Sequence, residues 1–441
     1  MFERLNRLFQ PLAAAIGRNK YLMSIRDGFL VATPLLITGS IFLLIANFPI
    51  PAVTDYFQSV IVNQTTQATL ADYLAVPADA TYTIMAIFAV AGIAYSFAKR
   101  MDVKPIFGAV TGLMSWFILM PFQLTGAPVG SPEGAAEVTL TGIDLSWMGA
   151  KGIFIGIICA FLSIHIYAWV NHKGWKITMP EQVPENVVET FSSLIPILIV
   201  MCAFFVMNLF FGFFGTNAFD FVYEFLQIPL LNLGDTLGSM VVAYIFLHFF
   251  WFFGINGGSV VGAVFNPILQ TLSLENVKYF QTGVGSAHII NQQFQDLFAT
   301  FGGAGSTLSL AIAMVVMCRS QRMKELGKLA LVPGIFNINE PIIFGMPIVL
   351  NPIMIVPFMI APIVNIVISY FTMKIGLVPV TSGINIPWPT PAIISGFLAT
   401  NWAGAVLQAL LLVIDFFIYL PFLKVLDNQY YKEETETPVA E

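Results

Sequence analysis

The sequence has 441 residues, of which 57% are hydrophobic and only 10% charged, with a formal net charge of -6. A water-soluble chain carries about 25% charged residues, so this composition excludes an ordinary soluble enzyme or a nucleic-acid binder and assigns most of the chain to lipid. Apolar runs recur from end to end, which predicts an all-α polytopic membrane protein rather than one anchored by a single segment.

In chain order, residues 1–27 set Leu5, Leu8, Phe9, Leu12 and Ile16 against Arg4, Arg7, Arg18, Lys20 and Arg26. That run is too polar to span and lacks a small-residue cleavage site, so it reads as an interfacial amphipathic helix on the cytoplasmic face and not as a signal peptide. Spans are predicted at about 28–49, 83–99, 105–126, 147–170 and 188–214 by their unbroken apolar character. The loops 50–82 and 127–146 hold no Lys or Arg, whereas Lys99, Arg100 and Lys104 follow the second span and Lys173 and Lys176 the fourth. The positive-inside rule then puts the N-terminus in the cytoplasm. The linker 171–187, with Pro180 and Pro184, divides an N-terminal membrane half (28–187) from a C-terminal one (188–427). Residues 216–235 read as a second interfacial helix, on the outer side.

The second half is less regular. A span at 236–253 stops at Gly254-Ile255-Asn256-Gly257-Gly258, a short apolar piece covers 259–272, and further spans are predicted at 297–318, 352–372 and 393–423. Arg319, Arg322, Lys324 and Lys328 mark the cytoplasmic side again. The expectation is about ten transmembrane helices plus re-entrant hairpins and interfacial amphipathic helices. Both termini lie in the cytoplasm, and residues 428–441, with Glu433, Glu434, Glu436 and Glu441, form a solvated polar tail.

One stretch departs from the design of a membrane helix. Gly334 to Pro352, GIFNINEPIIFGMPIVLNP, combines two glycines and three prolines with two asparagines ahead of a lone carboxylate, Glu340. Broken backbone at membrane depth is tolerated where it lines a polar cavity, so this is the predicted solute site. Asn337 and Asn339 each supply a donor and an acceptor suited to sugar hydroxyls, and are also ordinary turn residues. Asn256, in the glycine-rich break, is a further polar candidate or a helix C-cap. His248 is a ligand candidate or a satisfied interhelical histidine, and Trp388, on the proline-stiffened INIPWPTP loop, offers an indole face to a sugar ring. Asp415, inside LLVIDFFIYLP, is a second membrane carboxylate. Cys159, Cys202, Cys318 and the four histidines have no metal-ligand spacing, and no Walker loop or dinucleotide fingerprint is present. No metal or cofactor is expected, and the energy for transport is assigned to a gradient or a partner.

Asn337-Ile338-Asn339-Glu340-Pro341-Ile342-Ile343-Phe344-Gly345, followed by Pro347 and Asn351-Pro352, resembles the N-x-x-E-P-x-x-F-G-x-P signature of enzyme IIC of the bacterial phosphotransferase system, in its lactose, cellobiose and diacetylchitobiose branch. Phe253-Gly254-Ile255-Asn256-Gly257, the Gly302-to-Leu308 run, Pro387-Trp388-Pro389-Thr390-Pro391 and Ile394-Ser395-Gly396-Phe397 extend the likeness, as does Arg26-Asp27-Gly28 near the start. The resemblance implies a homodimeric permease in the bacterial inner membrane for a β-linked disaccharide, cellobiose or diacetylchitobiose before lactose. The first spans would supply the dimer contact and the later ones the sugar site. It also implies that Glu340 binds near the sugar 6-hydroxyl and helps deprotonate it, while a phosphocysteine on a separate enzyme IIB, itself charged by enzyme IIA, delivers the phosphoryl group. Many relatives carry His where this chain has Asn256, and PWTTP where it has PWPTP. The rival expectation is a proton-coupled sugar symporter, in which Glu340 and Asp415 would carry protons.

Overall fold

The computed structural model describes residues 19–126, 138–180, 182–285, 287–346, 348 and 351–436. Apolar sequence goes to helix nearly everywhere, because in lipid the backbone amides and carbonyls have only each other as partners. The chain forms α1 (Lys20–Ala46), α2 (Pro51–Ser59), a small hairpin of β1 (Ile61–Asn63) and β2 (Ala68–Thr69), and α3 (Leu70–Ala78), which continues through one wide turn into α4 (Met85–Arg100). Then come α5 (Pro105–Leu119), an antiparallel pair of β3 (Gln123–Gly126) and β4 (Val138–Thr141), α6 (Ile153–His172) and α7 (Glu185–Phe213). A helical stretch, Ala218–Gly234, leads to α8 (Leu237–Phe252), α9 (Gly257–Thr282), α10 (Leu308–Met317), α11 (Gln321–Ile335), α12 (Glu340–Gly345), α13 (Ile355–Lys374), α14 (Ile394–Ala399) and α15 (Trp402–Glu436).

Among the described residues six helices are long and apolar enough to cross a membrane: Lys20–Ala46, Leu70–Arg100, Ala150–His172, Glu185–Phe213, Ile355–Lys374 and Trp402–Glu436. A seventh is counted if Ala218–Gly234 and Leu237–Phe252, bent by 79° to each other, make one broken span. The expected count of ten is therefore not reached by length and composition. The runs at 105–126 and 297–318 yield only the shorter helices α5 and α10, the latter because Gly302, Gly303 and Gly305 adopt φ of 75°, 82° and 79° and keep 300–307 out of helix. The piece at 259–272 is part of the 26-residue α9, whose second half carries Glu275, Asn276, Lys278 and Gln281.

Two terminal expectations change. Residues 20–27 belong to α1 and not to a separate interfacial helix, and residues 1–18 lie outside the described residues. The acidic tail is helical through Glu436, and it is partnered. Glu434 accepts from Ser320 Oγ at 2.7 Å and from the backbone N–H groups of Gln321 and Arg322 at 3.0 Å each. Asp427 accepts from Arg319 N and Ser320 N at 2.9 Å. The amides that α11 cannot satisfy internally at its start are thus capped by carboxylates more than 100 residues away.

Packing divides the chain into two compact units, one of residues 19–39 and 77–232, the other containing 40–76 and 233–436. The first unit runs past the linker 171–187 to residue 232, because α7 packs against α5 and α6. In the first unit α1 crosses α4 at glycine contact: a Cβ on Gly28 would lie 2.2 Å from Ile93 Cγ1, and one on Gly92 2.8 Å from Gly28 O. Asp27 sits beside this crossing and pairs with Arg26 at 2.7 Å and Arg100 at 2.6 Å.

The second unit has its core where α10, α13 and α15 meet, around Leu310, Met314, Phe358, Ala361, Tyr419 and Leu423. Helix starts are capped as the sequence allows: Thr236 for α8, Asn256 for α9 and Ser320 for α11 each accept an amide hydrogen with the side chain. α9 ends at Gly283, in the left-handed region at φ 69°. In the loop beyond it, His288 Nδ1 contacts Asp235 Oδ2 at 2.8 Å and its Nε2 contacts Glu275 Oε2 at 3.0 Å. Hydrogen bonding to Asp235 and then to Glu275 outweighs partial burial and raises the His288 pKa to about 9.

Candidate functional site

Glu340 is the first residue of α12, and Pro341 follows at a position where no amide hydrogen is needed. The proline that would break a longer helix therefore starts a short one. Asn337, at φ 63°, occupies the left-handed position that ends α11, a conformation asparagine tolerates better than most residues. This is the local reason the chain turns twice within seven residues and delivers Glu340 at an end rather than in the middle of a helix.

The Asn337 side chain joins two distant segments. Its Oδ1 accepts from Gly302 N at 2.7 Å, and its Nδ2 donates to the Trp388 carbonyl at 2.5 Å. Asn339, buried at 6% exposure, donates to Ala304 O at 2.6 Å and Thr307 Oγ1 at 3.1 Å. Loop 302–305 lies so close that a Cβ on Gly303 would be 2.6 Å from Asn339 Cγ and 2.8 Å from Asn337 O. Both asparagines are thus spent on the glycine loop, and Asn337 also on the Trp388 loop.

Glu340 is exposed, and no described residue donates a hydrogen bond to it. The physical reason is its position: the first helical residue faces away from the core that Ile342 and Ile343 enter, both at 1% exposure. Its chain neighbours Ile338 and Phe344 are exposed at 42% and 67%, and Trp388, whose backbone carbonyl Asn337 holds, at 49%. An acceptor without a described donor, with the exposed Phe344 one helical turn further on, suits a polyol with apolar C–H faces.

His248 is fully buried, and both its ring nitrogens are engaged: Nε2 accepts from Gly305 N at 3.0 Å and Nδ1 donates to Tyr244 O at 2.7 Å. Its ring stands edge-on to Phe358, with centroids 5.1 Å apart. In this arrangement it braces the glycine loop and has no hydrogen-bonding atom left for a solute. Asn256 is neither a C-cap nor part of the cluster around Asn337; its Oδ1 accepts from Ser259 N at 2.9 Å and starts α9. A cavity of about 250 Å³ lined by Asn47, Phe280, Gln281, Ser382 and Thr400 contains none of the sequence-predicted residues.

Sequence reasoning gave the run Gly302 to Thr307 a supporting place only, yet it is the hub. Besides Asn337, Asn339 and His248, it receives Tyr419, whose hydroxyl donates to Gly305 O at 2.5 Å. Ser306, at φ 58°, donates to Asp415 Oδ2 at 2.5 Å and accepts from Phe301 N at 3.0 Å and Asn365 Nδ2 at 3.2 Å. Asn365 went unnoticed, although a lone amide within IVPFMIAPIVNIVISYF carries the same signal as Asp415 within its own helix.

The Glu340 segment and the glycine loop that holds it lie inside residues 26–362, which match the family model described as "Phosphotransferase system, EIIC". The chain belongs to this family. The EIIC likeness carried by residues 337–352 thus extends over residues 26–362. The chain is 38% identical to the oligo-beta-mannoside-specific EIIC component of Bacillus subtilis (strain 168), covering 100% of this chain and 97% of that one. It is also 38% identical to the cellobiose-specific EIIC component of Geobacillus stearothermophilus, over 97% and 94% of the two chains. A crystal structure of the transporter ChbC, the IIC component from the N,N'-diacetylchitobiose-specific phosphotransferase system, superposes with a TM-score of 0.91 at 37% identity, covering 98% of this chain and 100% of that one. A lactose-specific EIICB component of Lacticaseibacillus casei is 30% identical over 98% of this chain, which spans 72% of it. As an EIIC, this chain is an integral membrane protein of a sugar phosphotransferase system.

Proposed function

We propose that this EIIC translocates a β-linked disaccharide of the cellobiose or diacetylchitobiose type and presents the sugar 6-hydroxyl at Glu340 for phosphorylation by the phosphocysteine of a separate enzyme IIB, with enzyme IIA upstream. The observation that carries the reading is Glu340 itself. It stands at the end of a segment fixed by two asparagines, with no described donor on its carboxylate and with exposed Ile338 and Phe344 close to it in the chain. A carboxylate in that position accepts the hydroxyl hydrogen as the oxygen attacks phosphorus, which is general-base catalysis. Trp388 contributes a ring face on a loop tethered through Asn337.

The substrate class rests on the relatives, whose named sugars are cellobiose, oligo-β-mannosides and N,N'-diacetylchitobiose, all β-linked. Arg319, Arg322, Lys324 and Lys328 precede the Glu340 segment, which supports a cytoplasmic site of phosphoryl delivery and cytoplasmic termini. The functional unit in this reading is a homodimer. The test is equilibrium binding of radiolabelled cellobiose, diacetylchitobiose, mannobiose and lactose to purified protein, beside phosphorylation-coupled uptake, in wild type and Glu340→Gln. The amide keeps a hydrogen-bonding group but accepts no proton. Binding is expected to stay measurable while the phosphorylation rate falls by a factor on the order of 10²–10⁴, the usual contribution of a general base. Full phosphorylation by the variant removes Glu340 from the mechanism.

A further inference from the structure

Asp415 and Asn365 are each fully buried and hydrogen-bonded to one another, Asn365 Nδ2 donating to Asp415 Oδ2 at 3.0 Å. The same Oδ2 takes the Ser306 hydroxyl at 2.5 Å. Yet two acceptor atoms of this pair, Asp415 Oδ1 and Asn365 Oδ1, are buried with no hydrogen-bond partner. An unpaired buried acceptor costs about 1–3 kcal/mol, more when it carries charge. Two of them on adjoining side chains, where the described residues hold no group of three or more His, Cys, Asp or Glu that could bind a metal, is a donor deficit of one hydrogen.

We infer that Asp415 is a positioning residue held as the neutral acid, its Oδ1–H donating to Asn365 Oδ1 so that the two side chains close an acid–amide pair that fixes Ser306 and, through the glycine loop, the Glu340 segment. One hydrogen satisfies both orphan acceptors and leaves Oδ2 free to take its two donors. The route from Asp415 to the Glu340 segment is short, and each step is a hydrogen bond or a peptide link. Ser306 is bound by the pair, Gly305 is bound by Tyr419 one helical turn after Asp415, and Gly302, Ala304 and Thr307 bind Asn337 and Asn339. The left-handed φ of Ser306, 58°, is costly for a residue other than glycine and needs such a clamp. Asp415 accordingly neither touches the sugar nor carries protons across the membrane. The inference rests on the reading of the Glu340 segment as the sugar site only in its functional consequence.

The experiment compares wild type, Asp415→Asn, Asp415→Leu and Asn365→Leu in nanodiscs without sugar, following backbone hydrogen exchange in peptides covering 301–307 and 336–346. Asparagine supplies the missing donor and keeps the acceptor, so Asp415→Asn is expected to exchange as wild type does in both peptides. Either leucine variant should speed exchange about tenfold or more in both, the consequence of breaking a buried hydrogen-bonded pair. The infrared carbonyl band of a protonated carboxylic acid should be present in wild type and absent from Asp415→Asn. Acceleration confined to 301–307, an Asp415→Asn variant as loose as Asp415→Leu, or the absence of the acid band each overturns the proposal. If Asp415→Leu does not fold, Asn365→Leu and the infrared band decide alone. Uptake is then measured on the same variants. Loosened exchange with undiminished uptake leaves the pair standing and refutes instead the assignment of Glu340's segment to the sugar.

Discussion

At the scale of single residues, the polar groups that interrupt apolar sequence were legible as important, but not what each one does. Glu340, Asn337, Asn339 and Asp415 announce themselves because uncompensated polar groups in lipid are costly. Their partners do not announce themselves. Asn337 reaches Gly302, 35 residues earlier, and Trp388, 51 residues later, and His248 meets Gly305 across 57 residues. A sequence read locally shows such asparagines as polar groups, and the fold adds that the Asn337 amide and the Asn339 Nδ2 clasp the glycine loop. This division makes a prediction for Asn337. Asn337→Ala removes both clasps and puts a Cβ without a compensating amide in the left-handed region, so it should cost about 2–3 kcal/mol in thermal unfolding of the purified protein. Asn337→Gly relieves the backbone cost and should be the milder of the two. Equal stability of the two variants would mean that the side-chain bonds alone matter.

At the scale of elements, helix existence was legible and helix length was not. The expectation of a span at 297–318 counted hydrophobicity and passed over three glycines that only a left-handed, non-helical loop explains. The tail is exposed at Glu433, Glu434 and Glu436 as expected, yet it is helical, and Glu434 together with Asp427 just before the tail closes the start of α11. A further element-level device is the loop after α9, where His288 bridges Asp235 and Glu275. Its pKa is raised from the ordinary 6.5 to about 9 by those two carboxylates. The bridge therefore contributes its full stability below about pH 6.5, where folded and unfolded chains are both protonated. The contribution is lost as pH rises from there through about 9. Unfolding temperature measured across that range should fall with pH in wild type and fall less in His288→Gln. A wild-type curve no steeper than that of the variant would show that the bridge is not protonated in the folded protein.

At the scale of the whole molecule, composition settled the membrane class and the Glu340 motif settled the family, since both are written in residue type and order. The division into units was less legible. Packing of α7 onto α5 and α6 carries the first compact unit past the proline-rich linker 171–187 to residue 232, a contact between helices that sequence order does not reveal. Membership of the EIIC family favours group translocation over proton-coupled symport, although both use a carboxylate on broken backbone in a polytopic fold. The account commits to group translocation, and the product carries the difference. The decisive measurement is uptake of radiolabelled cellobiose and diacetylchitobiose into membrane vesicles bearing this EIIC, with and without purified phosphorelay proteins including enzyme IIB, scoring the internal sugar for phosphate. The account predicts phosphorylated disaccharide that appears only with the relay and persists when the proton gradient is collapsed. Free sugar accumulating on a proton gradient without the relay would contradict it.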